Sequence, residues 1–133
     1  MSFDRAVPVL QVSNVGKSMR WYKEVLGFDG SAFPDTEPYS FALLCRDDSE
    51  LMLQKAQSQP LPKSSGWSVY VRLSGNRLLD LANHVRTSSS LSREPERMPY
   101  GEVEFEVSDP DGYEIVLSEQ LPDSVDVPAV REG

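Results

Sequence analysis

The two halves of this chain repeat one another, and this repeat restricts the possible folds more than any other feature of the sequence. The segment SELMLQK (49–55) resembles YEIVLSE (113–119) at an offset of 64 residues. VLQVSN (9–14) resembles YVRLSGN (70–76) at an offset of 61, with Val12 matched to Leu73. A repeated unit that is too small to bury its own apolar face predicts two modules stacked side by side.

Each half shows a strand, a helix and then further strands. Alternating apolar residues indicate strands in VPVLQV (7–12), YSFALLC, ELMLQ, WSVYVRL, GEVEFEV and YEIVLSE, and the polar stretch 88–98 is interpreted as an edge strand. Asn14 and Asn76 are the expected N-caps of two helices. The apolar stripes of these helices are Val15, Met19, Tyr22 and Leu26, and Leu78, Leu81, Ala82 and Val85.

The sequence therefore predicts an α+β fold in which two tandem βαβββ modules form a curved, cup-like sheet within a single domain, 1–133. The modules are expected at about 5–56 and 67–119. The proline- and serine-rich segment 57–66 is expected to link them, and 120–133 to form a surface tail.

Charge and composition narrow the class of partner. The chain has 13 Lys and Arg against 21 Asp and Glu, a net charge of −8, so neither nucleic acid nor an anionic membrane is an expected partner. No apolar run approaches the about 20 residues of a membrane span, and no signal peptide is expected at the N-terminus. The single cysteine, Cys45, allows no internal disulfide, which fits a reducing compartment. We therefore expect a cytoplasmic protein.

Two motifs carry a family resemblance: VPVLQVSNVGKSMRWYKEVLGF near the start and YGEVEFEVSDPDGYEIVL near the end. In the first, Gly27 stands where a helix stop is expected; in the second, Pro110 and Gly112 suit a tight turn. Together with the βαβββ repeat, the chain resembles the vicinal oxygen chelate superfamily of glyoxalase I, extradiol dioxygenases and fosfomycin and bleomycin resistance proteins. It is most similar to the bleomycin-resistance-like branch. The resemblance implies a fold more firmly than an activity, because this scaffold hosts many functions.

The resemblance also implies where a metal would bind. Metal-dependent members use His, Glu or Gln at four cup-facing positions, two per half, and motif matching places these positions at Val7, Met52, Ser68 and Val116. None of these side chains is a good ligand for a hard or borderline divalent cation. The only histidine, His84, lies off the apolar stripe of its helix. A one-residue error in the matching would place Gln54 or Glu114 at a metal-ligand position instead. Neither a metal nor another cofactor is therefore expected.

Strand parity predicts the lining of the cup, because successive side chains point to opposite faces. The less apolar, cup-facing set contains Glu102, Glu104 and Glu106, with Arg72 as the only basic side chain. Carboxylates beside aromatic faces suit a cationic or flat organic molecule. The predicted ligand-binding residues are Tyr70, Arg72, Glu104, Met52, Trp67 and Val116, and no catalytic residue is predicted.

Two functions fit this pattern. The first is metal-independent binding of a small molecule, by which a cationic or aromatic ligand is sequestered, as the resemblance to bleomycin resistance proteins implies. The alternative is a lyase, isomerase or dioxygenase-type enzyme that uses pocket carboxylates, with Glu104 and Glu106 as candidates, or an atypical metal site. Relatives of this length usually close their cups between two chains, so the resemblance also implies a homodimer.

Overall fold

The computed structural model describes residues 1–62 and 65–129, which contain two helices and eight strands. The βαβββ order occurs twice, so the predicted α+β fold is confirmed. In chain order the elements are β1 (Val9–Val12), α1 (Val15–Leu26), β2 (Asp29–Phe33), β3 (Phe41–Arg46), β4 (Ser49–Lys55), β5 (Trp67–Arg72), α2 (Leu78–Arg86), β6 (Leu91–Arg97), β7 (Val103–Ser108) and β8 (Glu114–Glu119). Neither of the two helices is long and apolar enough to cross a membrane.

The chain divides into two compact units, Met1–Lys63 and Ser64–Gly133, and each is described by itself. The prediction that both modules line one cup stays a prediction. Residues 63, 64 and 130–133, which include parts of the expected linker and tail, lie outside the described residues.

The first unit is a four-stranded sheet in the order β1-β4-β3-β2, with α1 packed on one face. β1 runs parallel to β4, and the other neighbours are antiparallel. Tyr22 and Leu26 of the predicted helical stripe are buried, but Met19 is only half-buried, and Val25 is buried in addition. The sheet side of this core consists of Leu10, Val12, Ala42, Leu44, Leu51 and Leu53.

Both ends of α1 follow from the sequence. Asn14 has extended backbone angles, and its side-chain oxygen accepts a hydrogen bond from the Lys17 N–H at 3.0 Å, as an N-cap does. At the other end Gly27 has φ 70°, a left-handed conformation that glycine adopts without steric cost. Its N–H donates to the Lys23 carbonyl at 3.1 Å, which confirms the predicted helix stop.

The second unit is a four-stranded sheet in the order β5-β8-β7-β6, and α2 packs on one of its faces. Leu78, Ala82 and Val85 of α2 are buried as predicted, whereas Leu81 is half-buried. The edge strand expected within 88–98 is present as β6, although its register against β7 shifts twice. The sheet side of this core consists of Val103, Phe105, Val107, Ile115 and Leu117.

The start of α2 differs from the prediction. Asn76 is not the N-cap: it has φ 60°, and the cap position is Arg77, whose side chain makes no capping hydrogen bond. The buried carboxylate of Glu119, at the end of β8, accepts instead from the backbone N–H groups of Asn76, Arg77 and Leu78 at 2.6, 3.0 and 3.0 Å. A negative charge at this end also complements the helix dipole.

The segment between β7 and β8 is a turn that is stabilised by a side chain of its first residue. The buried Asp109 accepts from the N–H groups of Asp111 and Tyr113 through Oδ1, both at 2.9 Å. Gly112 has φ 87°, which glycine tolerates. The DPDG motif thus fixes where β8 begins and which of its residues lie on each face of the sheet.

The tail beyond β8 is attached to β6 through Arg97. Its guanidinium donates to the carbonyl oxygens of Leu121 and Pro122, both at 3.1 Å. The Arg97 N–H donates to the Pro128 carbonyl at 2.8 Å, and Arg97 forms a parallel bridge with Ala129. Leu121 is buried, so this part of the expected surface tail belongs to the packing of the second unit.

Candidate functional site

The sheet register of the second unit brings several predicted site residues together on the face opposite α2. Tyr70 of β5 lies opposite Val116 of β8, which lies opposite Glu106 of β7. In the neighbouring row, Arg72, Ser118 and Glu104 are aligned in the same way. We call this surface the open face of the second sheet; it carries Trp67, Tyr70, Arg72, Glu104, Glu106, Val116 and Ser118.

Glu104 is the centre of a hydrogen-bonded cluster on this face. Its side chain is 0% exposed, and a buried carboxylate requires partners. Oε1 accepts from Arg93 Nη2 at 3.1 Å, and Oε2 accepts from the hydroxyls of Tyr100 at 2.6 Å and of Tyr70. Ser118 Oγ lies 2.7 Å from the Tyr70 oxygen.

Arg93 links the two carboxylates that the sequence had singled out. Its Nη2 donates to Glu104 at 3.1 Å and to Glu106 Oε1 at 3.0 Å, and its Nη1 lies 3.2 Å from the Met98 sulfur. Burial lowers the pKa of Arg93, but the hydrogen bonds and charges of Glu106 and Glu104 outweigh this effect, so its pKa is raised. The expectation that Arg72 is the only basic side chain here is therefore wrong.

A β-bulge places Trp67 on the same face. The pairing of β5 with β8 shifts between Trp67 and Val69, so Ser68 lies in the bulge and Trp67 pairs with Glu114. The Trp67 indole N–H donates to Glu106, and its ring centroid lies 5.5 Å from that of Tyr70. Strict alternation puts residues 67 and 70 on opposite faces; the bulge reverses this and leaves Trp67 51% exposed beside the cluster.

Two tyrosines with raised pKa values flank Glu104. Tyr100, in the loop between β6 and β7, is 58% exposed overall although its hydroxyl reaches the buried carboxylate. Burial of the hydroxyl raises the pKa of Tyr100, and the hydrogen bond and charge of Glu104 raise it further. The pKa of Tyr70 is raised by burial first and then by its hydrogen bond to Glu104. Both phenols therefore stay protonated donors to Glu104 well into the alkaline range.

Arg72 lies over the Tyr70 ring at the margin of the cluster. The guanidinium carbon is 5.5 Å from the ring centroid, and Nη1 is 3.5 Å from Glu102 Oε1. The other oxygen of Glu102 lies 3.1 Å from Ser118 Oγ. The Arg72 side chain is 74% exposed and that of Glu102 only 20%, so the arginine is the more solvent-exposed partner of the pair.

The four positions that the family resemblance assigns to a metal do not fit one. Val7 precedes β1, which begins at Val9, two residues later than the predicted strand. Val116 is fully buried between Tyr70 and Glu106 and has no lone pair, and Ser68 lies in the bulge. Within residues 1–62 and 65–129, no group of three or more His, Cys, Asp or Glu side chains is arranged to hold a metal ion.

Met52, the remaining predicted site residue, belongs to the first unit. It lies opposite Val9 on one side and Leu43 on the other, on the face of that sheet opposite α1. His84 is exposed on α2, as expected from its place off the apolar stripe. The first unit also contains a surface pocket of about 340 Å³ at the start of α1, lined by Ser13, Asn14, Val15, Gly16, Glu37, Pro38, Tyr39 and Lys55.

Sequence reasoning missed Arg93 and Tyr100. Arg93 lies in the stretch 88–98, where two register shifts interrupt the alternation, and Tyr100 lies in a loop, to which strand parity does not apply. The segment LSREPER alternates polar and apolar residues too weakly to reveal an inward-facing arginine.

A comparison of the sequence with known protein families identifies the family independently of the geometry. The model for the Glyoxalase/Bleomycin resistance protein/Dioxygenase superfamily matches residues 3–117. The chain belongs to this superfamily. The match begins before β1 and ends within β8, so it spans nearly all of both βαβββ repeats. No curated protein matches the chain.

Solved structures of the glyoxalase/bleomycin resistance superfamily and of other proteins share this fold. A virulence protein from Salmonella typhimurium is 25% identical, with a TM-score of 0.65, over 91% of this chain and 100% of that one. TioX from Micromonospora sp. ML1 is 16% identical with a TM-score of 0.69, covering 92% and 100%. A glyoxalase-related enzyme from Clostridium phytofermentans is 18% identical with a TM-score of 0.67, covering 91% and 98%. The last two likenesses show the fold alone.

Proposed function

We propose that this chain is a binding protein that sequesters a cationic or aromatic small molecule on the open face of its second sheet, without a metal. The observation that carries the proposal is the arrangement of aromatic rings beside carboxylates. Trp67 and Tyr100 are exposed next to Tyr70, and Glu102 and Glu106 lie beside these rings. Ring faces and carboxylates both attract organic cations, and the net charge of −8 adds to this attraction.

The hydrogen-bond donors of the cluster support a cation over an anion. The indole N–H of Trp67 is used on Glu106, the hydroxyls of Tyr70 and Tyr100 on Glu104, and the Arg93 guanidinium on both carboxylates. A ligand therefore meets ring faces and acceptors. Apart from the exposed Arg72 at the margin, a carboxylate or phosphate ligand has to break one of these bonds to gain a donor, which costs free energy.

The cluster is less suited to acid–base catalysis at Glu104. A general base needs a lone pair within hydrogen-bond reach of the substrate proton. Both oxygens of Glu104 already accept hydrogen bonds, from Arg93 on one side and from two phenols on the other, and the side chain is 0% exposed. This arrangement favours binding over the alternative of a lyase or isomerase that uses this carboxylate.

The test is a thermal-shift and calorimetric screen of aromatic and cationic compounds against oxo-acids. Binding to the native state raises the unfolding midpoint, and we expect this for cationic and aromatic compounds and not for oxo-acids. Trp67→Leu should weaken binding, while Tyr39→Phe in the first unit serves as a matched control that leaves it unchanged. The proposal is wrong if oxo-acids bind and cations do not, or if binding requires added Ni²⁺, Zn²⁺, Mn²⁺ or Fe²⁺.

We also propose that the protein is a homodimer. Val9, Phe33 and Phe41 are exposed apolar side chains on the face of the first sheet opposite α1. Monomeric proteins rarely expose a contiguous apolar patch, and pairing with a second copy is the common way to cover one.

A further inference from the structure

We infer that Arg72 occupies the cation seat of the proposed site in the free protein, and that the ligand group which replaces it is an amidinium or a guanidinium. The cation seat is defined as the ring face of Tyr70 together with the carboxylate of Glu102. This inference rests on the proposed binding function and names the chemical class of ligand for the same site.

The seat already holds a cation of this class. The Arg72 guanidinium carbon lies 5.5 Å from the Tyr70 ring centroid, inside the about 6 Å over which a ring attracts a cation. At the same time Nη1 lies 3.5 Å from Glu102 Oε1. One planar cation thus contacts both recognition elements, the ring face and the carboxylate.

Arg72 holds this position weakly. Its side chain is 74% exposed, and ion pairs at such exposure contribute little to stability. The 3.5 Å separation is also long compared with the about 2.7–2.9 Å of a strong charge-assisted hydrogen bond. The side chain therefore loses little when it turns into solvent and leaves the seat.

The side chains that form the cation seat have contacts of their own besides Arg72, so the seat remains when Arg72 leaves. The Tyr70 hydroxyl donates to the buried Glu104, and its oxygen contacts Ser118 Oγ at 2.7 Å. Glu102 Oε2 lies 3.1 Å from the same serine oxygen, and the Trp67 ring lies 5.5 Å from the Tyr70 ring. Among the described residues that contact the seat, Arg72 is the one that a ligand has to displace.

The geometry selects a planar cation with N–H groups. An amidinium or guanidinium can offer its planar face to a ring while its N–H groups donate to a carboxylate, and Arg72 contacts this same ring and carboxylate. A quaternary ammonium has no N–H for Glu102. An anion is repelled by Glu102 and Glu106.

The experiment is a nuclear magnetic resonance titration that follows the indole N–H of Trp67, with Trp21 in the first unit as internal reference. Benzamidine is the amidinium probe. Benzoate has the same shape with the opposite charge, and benzyltrimethylammonium keeps the ring and the charge but has no N–H. Each probe is titrated into the wild type, Arg72→Ala and Arg72→Gln, which keeps much of the side-chain stem. Arg77→Ala is the control, because Arg77 is an exposed arginine of the same unit that pairs with Asp80.

We expect benzamidine to bind more tightly than benzyltrimethylammonium and benzoate not to bind. Both Arg72 variants should bind benzamidine about two- to fivefold more tightly than the wild type, the equivalent of one exposed cation–π contact. Arg77→Ala should match the wild type. The gain should persist in about 1 M NaCl, where long-range charge effects are screened.

Two results overturn the inference while the binding function stands: cation binding that weakens or stays equal in the Arg72 variants, or a gain of the same size in Arg77→Ala. Tighter binding of benzyltrimethylammonium than of benzamidine overturns the ligand class. If none of the four proteins binds any organic cation, the proposed function fails together with the inference.

Discussion

Glu119 and Leu78 join the last strand of the second unit to the start of its helix. Glu119 Oε1 accepts the backbone N–H of Leu78 at 3.0 Å, and the N–H groups of Asn76 and Arg77 bind the same carboxylate. The N-cap residue of α2 offers no side-chain hydrogen bond of its own. The start of α2 therefore depends on a residue 41 positions further along the chain.

Replacing Glu119 should destabilise the protein. Glu119→Ala leaves three backbone donors without their acceptor, and we expect a loss of about 1–3 kcal/mol in the free energy of unfolding. Glu119→Gln keeps one acceptor oxygen and should lose less. Urea unfolding followed by circular dichroism measures both. Glu94→Ala, at an exposed ion pair with Arg86, is the control, and a Glu119→Ala loss no larger than that of the control contradicts the capping role.

The ends of the two helices show how much of the fold the sequence could predict. Asn14 and Gly27 determine the ends of α1 through contacts within a few residues, so a local pattern predicted them correctly. Asn76 has the side chain of a cap but not its backbone angles, and the capping group comes from a distant strand that no local pattern reveals. β2 escaped the strand pattern for a similar reason, because DGSAF forms a strand by pairing with β3 rather than by its own alternation.

The second prediction concerns the stability of the core of the first unit. Leu26 is buried, so Leu26→Ala should cost about 2–5 kcal/mol, the usual range for a cavity left in a packed core. Met19→Ala is the comparison within the same helix and should cost less, since Met19 is only half-buried. Urea denaturation of both variants gives the two values. A cost below about 0.5 kcal/mol for Leu26→Ala shows that this side of α1 is not core.

The contributions of Arg93 and Glu104 to the free energy of unfolding should be strongly coupled. Arg93 is 20% exposed and Glu104 fully buried, so removing Arg93 leaves the buried carboxylate without its ion-pair partner, at a cost of about 3 kcal/mol, whereas removing Glu104 leaves Arg93 paired with Glu106. In a double-mutant cycle of Arg93→Gln and Glu104→Gln, we expect a coupling energy above about 1 kcal/mol. The exposed pair Arg86–Glu94 gives the matched cycle, with an expected coupling of at most about 0.5 kcal/mol. Equal couplings in the two cycles contradict the central place of Arg93.

The candidate site was partly predictable, and the limits have physical causes. Tyr70, Arg72 and Glu104 lie on regular strands, and alternation alone brings them to one face. Trp67 reaches that face only through a bulge, and Arg93 lies between two register shifts. Alternation fails at both points. Val116 follows alternation, but it is fully buried among its neighbours and is therefore part of the support for the site rather than of its surface.

Stability should fall at alkaline pH because of Tyr100. Its pKa is raised in the folded protein by burial and then by Glu104, so the folded phenol stays neutral while the unfolded one ionises. Its contribution is complete below the ordinary tyrosine pKa of about 10 and is lost as the pH rises above that value. Urea midpoints measured between about pH 8 and 11 should fall more steeply for the wild type than for Tyr100→Phe. Parallel curves contradict this role.

Assembly is the last prediction, and it depends on the first sheet. On the face opposite α1, Phe33 and Phe41 stack at 5.7 Å with their planes at 27°, and both rings are exposed, as is Val9. We expect a dimer in sedimentation equilibrium at micromolar concentration, because a second copy that covers this patch removes apolar surface from water. The double variant Phe33→Ser, Phe41→Ser should shift the protein toward monomer, and Phe3→Ser, which removes an exposed phenylalanine that precedes β1, should not. A wild-type protein that stays monomeric rules out the dimer, and a double variant that dimerises like the wild type rules out this face as the interface.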